Sequence, residues 1–168
     1  MLVEKIMSQP AITCRTDDNL ATAAALMWNH DCGVIVVVDT DGAHVAGMVT
    51  DRDICMAAYT QGKPLAQIPV ASAMASHVIT CRAKDSLDTA EKRMRMQQIR
   101  RIAVVDGAGH PVGVLSLNDL ARDAITRKMT GVEHDLVTTL AAVCEPRAMV
   151  ARKAAPAGPQ ATELHATA

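Results

Sequence analysis

Residues 47–53 read Gly47-Met48-Val49-Thr50-Asp51-Arg52-Asp53, and a related stretch, Gly113-Val114-Leu115-Ser116-Leu117-Asn118-Asp119, occurs 66 residues later (113 − 47). In both stretches an apolar run ends at a hydroxyl residue, and an acidic residue follows three positions after it. A hydroxyl at the start of a helix can accept hydrogen bonds from the free N–H groups of the first turn. Each stretch therefore predicts a strand that passes directly into a helix.

The similarity between the two stretches extends outward in both directions. Val3-Glu4-Lys5-Ile6-Met7-Ser8 matches Val70-Ala71-Ser72-Ala73-Met74-Ala75 at an offset of 67 residues (74 − 7), and Val37-Val38-Asp39 matches Val104-Val105-Asp106. So many matches in the same order indicate an internal repeat. We therefore predict a first domain over residues 1–62, a linker over 63–69 and a second domain over 70–128.

Both copies predict the same order of elements. Strands are expected at 11–14, 34–38 and 44–49 in the first copy and at 78–81, 102–105 and 111–115 in the second. A helix with one apolar face follows the first strand of each copy, where Asp17 or Asp18, and Asp85 or Ser86, can act as the N-cap. The β-branched middle strands show little polar alternation, so both of their faces are expected to be covered. The fold class is thus an α/β sandwich of two pseudo-symmetric β-α-β-β-α units.

The C-terminal part of the chain lies outside the repeat. Leu136, Leu140 and Val143 fall on one stripe, which predicts a helix within residues 129–145. Residues 146–168 are rich in Ala, Pro and Gly and contain few large apolar side chains. We expect them to form a largely unanchored tail.

Composition excludes several classes of function. The chain has 168 residues, with 17 Lys and Arg against 18 Asp and Glu, so it lacks the positive charge that a general nucleic-acid binder needs. Trp28 and Tyr59 are its only Trp, Tyr or Phe residues, which argues against a base-stacking platform. The longest aliphatic run, 34–38, is too short to span a membrane, and the first residues do not resemble a secretory signal, so we expect a cytoplasmic protein.

Cysteine and histidine usage points away from metal or disulfide chemistry. The five cysteines are widely spaced, and no CxxC motif is present. His30-Asp31-Cys32 could be interpreted as metal ligands, but three neighbouring residues rarely aim at one ion. We therefore predict no metal site, no resident cofactor and no catalytic residues.

The repeated motifs resemble a tandem pair of cystathionine-β-synthase (CBS) domains, also called a Bateman module. The resemblance covers about residues 3–127 and rests on Ile6-Met7-Ser8, the two Val-Val-Asp strand ends and the two stretches quoted first. It implies two halves packed sheet to sheet with two clefts between them. The chain is similar to modules that bind adenine nucleotides there, including those of the AMP-activated kinase regulatory subunit, and such modules usually form disc-like dimers.

The hydroxyl and acidic residues of the two motifs are candidate ribose ligands. Thr50 and Asp53 form one pair, and Ser116 and Asp119 form the other. A carboxylate can accept two hydrogen bonds from a ribose diol, and a helix N-terminus favours a phosphate. The alternative is that each pair is simply a capping box that satisfies its own helix. The two roles can coexist.

Other candidate ligand residues follow from the strands and from the resemblance. An adenine ring needs apolar walls and backbone polar groups, for which the candidates are Ile12, Thr13, Cys14, Val34, Val36, Ile79, Thr80, Cys81, Ile102 and Ala103. Arg100 and Arg101 lie where related modules often carry a His-Arg pair, and with Arg52 they are candidate phosphate ligands. The first copy has Gly33 and Val34 at the corresponding positions, so we expect the cleft served by Arg100 or Arg101 to bind AMP-like ligands more tightly.

Together these observations favour a non-catalytic regulatory module that binds AMP, ADP, ATP or another adenosyl ligand and acts on a separate effector protein. The chain is expected to form a homodimer, with neither nucleic acid nor a membrane as its partner. The alternative is a structural or protein-interaction module whose clefts are vestigial.

Overall fold

The computed structural model describes residues 1–127 and 132–144. Its strands are β1 (Thr13–Arg15), β2 (Val34–Val38), β3 (Val45–Thr50), β4 (Thr80–Arg82), β5 (Arg101–Val105) and β6 (Pro111–Ser116). Its α-helices are α1 (Leu20–Asn29), α2 (Asp51–Gln61), α3 (Leu87–Gln97), α4 (Leu117–Arg127) and α5 (Val132–Cys144). None of these helices is long and apolar enough to cross a membrane.

The strands form two three-stranded sheets with identical topology, β1-β2-β3 and β4-β5-β6. The first two strands of each sheet run parallel, so that Thr13 lies opposite Val36 and Thr80 opposite Ala103. The last two run antiparallel as hairpins. The predicted α/β sandwich of two β-α-β-β-α units is therefore confirmed.

Each sheet separates a hydrophobic core from the other sheet. Ile35 and Val37 belong to the first core, so Val36 points to the opposite face of β2, where it is also fully buried. In the second sheet Ala103 is buried in the same way. The expectation that both faces of the middle strands are covered is thus confirmed.

The two repeats exchange their first segments. The Ser8 N–H donates to the Val114 carbonyl (2.9 Å) and the Val114 N–H donates back (3.0 Å), so the N-terminal segment is held by the second half. Ala75 and Met48 make the equivalent pair of bonds (2.8 and 3.1 Å), which hold residues 70–75 on the first half. Each packed half is therefore built from two separate stretches of sequence.

Two glycines make this exchange possible. A Cβ on Gly113 would lie 2.7 Å from the Ser8 carbonyl oxygen, and one on Gly47 would lie 2.5 Å from the Met74 sulfur. Neither position has room for a side chain. The glycine that opens each of the two quoted stretches is thus required for close backbone approach rather than for a turn.

The caps of the first helix in each copy differ from expectation in one case. Ser86 caps α3 as predicted, because its Oγ accepts from the Thr89 N–H (3.2 Å). The cap of α1 is Asn19, so the prediction of Asp17 or Asp18 was wrong. Asp18 is instead engaged in a turn, where its carboxylate accepts from the Arg15 N–H (2.7 Å).

The predicted C-terminal helix is confirmed as α5, which packs against α3 and α4. Val143 is buried in the second core, and Leu136 packs against it. Residues 128–131 and the predicted tail at 146–168 lie outside the described residues.

Candidate functional site

Both hydroxyl–acid motifs form complete capping boxes at helix starts. The Asp53 carboxylate accepts from the Thr50 N–H (2.9 Å) and hydroxyl (2.6 Å), and the Asp53 N–H donates to Thr50 Oγ1 (3.3 Å). Ser116 and Asp119 make the same three bonds at 2.8, 2.6 and 3.2 Å. The capping role proposed from the sequence is therefore present at both sites. In each box a single carboxylate oxygen, Oδ2, does this work.

The second oxygen of Asp119 is held by side chains from elsewhere. Oδ1 accepts from the Ser8 hydroxyl (3.1 Å), which the exchanged N-terminal segment brings to the second half, and from the Arg122 guanidinium. Asp119 is only 3% exposed. A carboxylate offers about four lone-pair sites, and here all of them are filled.

The equivalent oxygen of Asp53 is open. The repeat places Ala75 where the second half has Ser8, and Met56 where it has Arg122. Neither side chain can donate a hydrogen bond, and Asp53 Oδ1 accepts none from residues 1–127 or 132–144. The two carboxylates therefore share a capping role and differ in what else they can accept.

A cleft of about 820 Å³ opens between the two halves beside Asp119. Ser116 and Asp119 lie on its second-half side, and Ile12 and Val34 provide apolar wall from the first half. Its volume is within the range that small-ligand sites occupy. Thr50 and Asp53 are not among the residues that line it.

Two arginines bring positive charge to this cleft. Arg101 and Arg122 both line it. A Cβ on Gly33 would lie 3.1 Å from Arg101 Nη2, so the missing side chain at Gly33 leaves room for the guanidinium. Of the three predicted phosphate ligands, Arg101 alone lines the cleft, whereas Arg52 and Arg100 have exposed side chains and lie outside its lining.

The ten predicted adenine contacts fall into three groups. Ile12 and Val34 line the cleft. Several have side chains enclosed in the protein, either in the two cores (Cys14, Cys81, Ile102) or on the opposite faces of the sheets (Val36, Ala103). Thr13 is exposed, and Ile79 and Thr80 are half-buried. The role of the eight residues outside this lining stays a prediction.

Sequence reasoning missed several residues of this cleft. Ser8 and Arg122 contact Asp119 directly, and His30, Asp31 and Cys32 line the cleft. Only the repeat could have pointed to the first two, because their counterparts, Ala75 and Met56, have different chemistry. A short motif search cannot find Ser8, which lies 111 residues from Asp119.

Buried thiols do not add reactive groups to the site. Burial raises the pKa of the Cys14 thiol to about 11, with the Asp18 carboxylate adding to it, and burial likewise raises the pKa of Cys81 to about 11. Both side chains are therefore protonated at neutral pH, and a thiol in that state is a poor nucleophile. Within the described ranges no three His, Cys, Asp or Glu side chains are grouped so as to hold a metal ion.

Comparison with known proteins agrees with this geometry. The family model described as "CBS domain" matches residues 3–59 and 70–125. The CBS domain-containing protein YhcV of Bacillus subtilis is 33% identical over 129 residues, which is 77% of this chain and 89% of that protein.

Solved structures share the fold. The CBS domain pair of protein MJ0100, in complex with 5′-methylthioadenosine and S-adenosyl-L-methionine, is 26% identical with a TM-score of 0.67, covering 76% of this chain and 98% of that one. The CBS domain protein PAE2072 from Pyrobaculum aerophilum, complexed with AMP, is 24% identical with a TM-score of 0.68, covering 82% of this chain and 99% of that one.

Proposed function

This chain belongs to the CBS-domain family as a tandem pair, and we propose that it is a non-catalytic regulatory module that binds an adenine nucleotide in the cleft beside Asp119. AMP is the ligand that the cleft suits best, with ADP, ATP and other adenosyl compounds as its chemical relatives. The complex of the MJ0100 pair with two adenosyl compounds supports a ligand of this class.

One observation carries the proposal. A buried carboxylate, Asp119, lies at a helix start in a cleft of about 820 Å³ that also contains the guanidinium groups of Arg101 and Arg122. A nucleotide presents a diol, an apolar base and an anionic phosphate. The cleft offers an acceptor for the first, the walls at Ile12 and Val34 for the second and cationic donors for the third.

Binding of a ribose requires an exchange of partners at Asp119. Since the four lone-pair sites of this carboxylate are filled, the diol has to displace the Ser8 hydroxyl or the Arg122 guanidinium from Oδ1. Arg122 is the side chain whose release is useful, because a guanidinium leaving a carboxylate can bind the phosphate in a bidentate manner. The positive charge then remains in the cleft and changes its partner.

Regulation follows if the ligand binds the two arrangements of this site with different affinity. A ligand shifts a conformational equilibrium only by that difference. Displacement of Ser8 would alter the hold of the N-terminal segment on the second half, which gives the protein two distinguishable states. We propose that a separate effector protein responds to them, and that two copies of the chain pair.

The proposal is tested by titrating AMP into the full chain by calorimetry, with Asp119→Asn and Asp53→Asn compared. Hydrogen bonds to a charged group are worth about 1.5–3 kcal/mol, so Asp119→Asn is expected to weaken AMP binding roughly tenfold to a hundredfold. Asp53→Asn is the matched control, since it removes the same charge from the same motif outside this cleft. Equal affinity of wild type and Asp119→Asn would refute the ribose role.

Ligand analogues separate the parts of the site. Adenosine lacks the phosphate, so Arg101→Gln should lower the affinity for AMP but not for adenosine. 2′-Deoxy-AMP lacks one hydroxyl of the diol, so it should bind wild type more weakly than AMP and gain nothing further from Asp119→Asn. If replacing both Arg100 and Arg101 by glutamine leaves AMP binding unchanged, the phosphate role of this pair is wrong.

A second candidate function has one observation in its favour. The saturated carboxylate of Asp119 is also what a cleft without a ligand would need, because a buried charge requires partners. On this reading the chain is an interaction module with vestigial clefts. Thermal unfolding with AMP, ADP, ATP, NAD and S-adenosylmethionine decides between the two, since a ligand of the native state raises its stability. A flat result with all five compounds would favour the second candidate.

A further inference from the structure

Helix α5 occupies a defined seat on the helical surface of the second half. Val143 joins the core cluster that contains Leu117 and Leu120 at the start of α4. From α3, Arg95 Nη1 donates to the Thr139 hydroxyl (3.3 Å), and Thr139 is fully buried. The surface formed by α3 and α4 is thus built to be covered by a helix.

The repeat maps this seat onto a groove in the first half. The positions equivalent to Arg95, Leu117 and Leu120 are Trp28, Asp51 and Ile54, at offsets of 67 and 66 residues. Those three residues, with Ala24 and Met27, line a groove of about 450 Å³ between α1 and α2. No described element of the chain covers this groove as α5 covers its counterpart.

The surface around the groove carries the largest exposed apolar side chains of the first half. Trp28 is 87% exposed, Tyr59 is 66% exposed and Met56 is 42% exposed. They include the only Trp and the only Tyr of the chain. Exposed aromatic residues grouped in this way mark interaction sites, because Trp and Tyr are enriched where interfaces gain most of their binding energy.

We propose that the groove between α1 and α2 is the interface at which a second copy of this chain binds, with the Trp28 indole as its anchor. One face carries both a projecting indole and a recess, so a two-fold arrangement lets each copy fill the recess of the other. Charge of both signs also borders the groove, with Asp31 and Asp51 near the exposed Arg52. Such a border can pair with itself across a two-fold axis.

The second half explains why this assembly closes as a dimer. Its equivalent surface is already occupied by α5, and the positions of Trp28 and Met56 are taken there by Arg95 and Arg122. A copy therefore has one such surface to offer, and contact between first halves uses it up. The inference sharpens the pairing named in the proposed function and does not depend on nucleotide binding.

The test is sedimentation of the full chain without nucleotide, compared with Trp28→Arg and Met96→Arg. Wild type is expected at twice the chain mass of 17.8 kDa, and Trp28→Arg at the mass of one chain. The substitution copies the residue of the second half, so it suits this fold. Met96→Arg is the matched control, since Met96 is 80% exposed on α3 and lies outside the groove.

The single tryptophan provides a second measurement. Dilution of wild type should shift the Trp28 emission to longer wavelength as the indole becomes exposed to water, and Met96→Arg should behave the same way. A wild type that sediments as one chain overturns the inference and leaves the groove for a different protein. A dimer that survives Trp28→Arg with a folded circular dichroism spectrum also overturns it.

Discussion

The two halves of this molecule share one backbone and one capping box but differ in what surrounds them. The bond from the motif hydroxyl to the motif carboxylate measures 2.6 Å in both. In the second half that carboxylate is also bound by Ser8 and Arg122, whereas Ala75 and Met56 stand at the equivalent places in the first. A repeated motif thus preserves local geometry, and its more distant neighbours decide what the site can bind.

The largest expected effect comes from the two glycines at the exchanged segments. Gly113→Ala would place its Cβ 2.7 Å from the Ser8 carbonyl oxygen, which is backbone and cannot move aside. In Gly47→Ala the closest atom, at 2.5 Å, is the Met74 sulfur at the end of a flexible side chain. Overpacking typically costs about 1–3 kcal/mol.

We expect Gly113→Ala to lower the free energy of unfolding by an amount in that range and Gly47→Ala to lower it less, as measured by urea denaturation. Gly107→Ala is the control, because a Cβ there would meet no atom within 4 Å. The opposite order of the two core-side glycines would show that the halves do not hold their exchanged segments as described.

A second prediction concerns a feature in which the halves should be alike. The pKa of both buried thiols is raised from 9.0 to about 11. A raised pKa in the folded state means that the folded chain keeps protons that the unfolded chain loses, so the stabilisation is complete below pH 9 and is lost as the pH rises toward 11.

Unfolding free energies measured from pH 8 to 11 should therefore fall, with Cys14 and Cys81 each contributing up to one proton to the slope. Cys14→Ala and Cys81→Ala should each make the decline shallower by a similar amount. Cys55→Ala, at an exposed position, serves as the control. Unequal effects of the first two variants would break the symmetry of the cores.

Swapping one residue between the halves sharpens the comparison at the site itself. Ser8→Ala removes a donor that competes with a ribose for Asp119, and Ala75→Ser places a hydroxyl at the matching position near Asp53. A neutral hydrogen bond contributes about 0.5–1.5 kcal/mol net. Ser8→Ala should therefore tighten AMP binding roughly twofold to tenfold in calorimetry.

The reciprocal change has its own outcome. Ala75→Ser should leave AMP binding in the Asp119 cleft unchanged while raising the unfolding free energy by a fraction of the same amount. Weaker AMP binding in Ser8→Ala would mean that the Ser8 hydroxyl contacts the ligand instead of competing with it.

The smallest effect is expected at the two hairpin turns. Backbone hydrogen bonds from His44 and His110 are the main cause that lowers the pKa of Asp39 and Asp106, respectively, below the usual 3.8. A lowered pKa adds stability that is present above the unfolded value and is lost as the pH falls below it. Asp39→Asn and Asp106→Asn should each slightly flatten the acid side of a thermal-stability profile below pH 4, and equally so. An unchanged acid profile in both would contradict the role of these turns.

The amino-acid sequence was sufficient to predict elements that depend on local chemistry. Helices that begin at Thr50 and Ser116 follow from hydroxyl caps, and the buried strand at 34–38 follows from an unbroken β-branched run. The α1 cap was missed because Asp18 has a competing use in a turn, which a capping rule alone cannot weigh.

The site was only partly predictable, because its decisive contacts are long-range. The repeat pointed to Asp119 and Arg101, but the Ser8–Asp119 bond exists only because two segments change places. Arg122 was missed although it lies three residues from Asp119, since an arginine on an exposed helix face is ordinary until its partner is known.

The exchange of segments has a consequence for how the chain matures. The first half cannot complete its fold until residues 65–75 have left the ribosome, and the second half must then receive a strand segment that was synthesised first. Neither repeat is a self-sufficient folding unit, so cutting the gene at the linker would yield two incomplete fragments. Each fragment would carry the closing segment that the other requires, and co-expression would be the way to restore both.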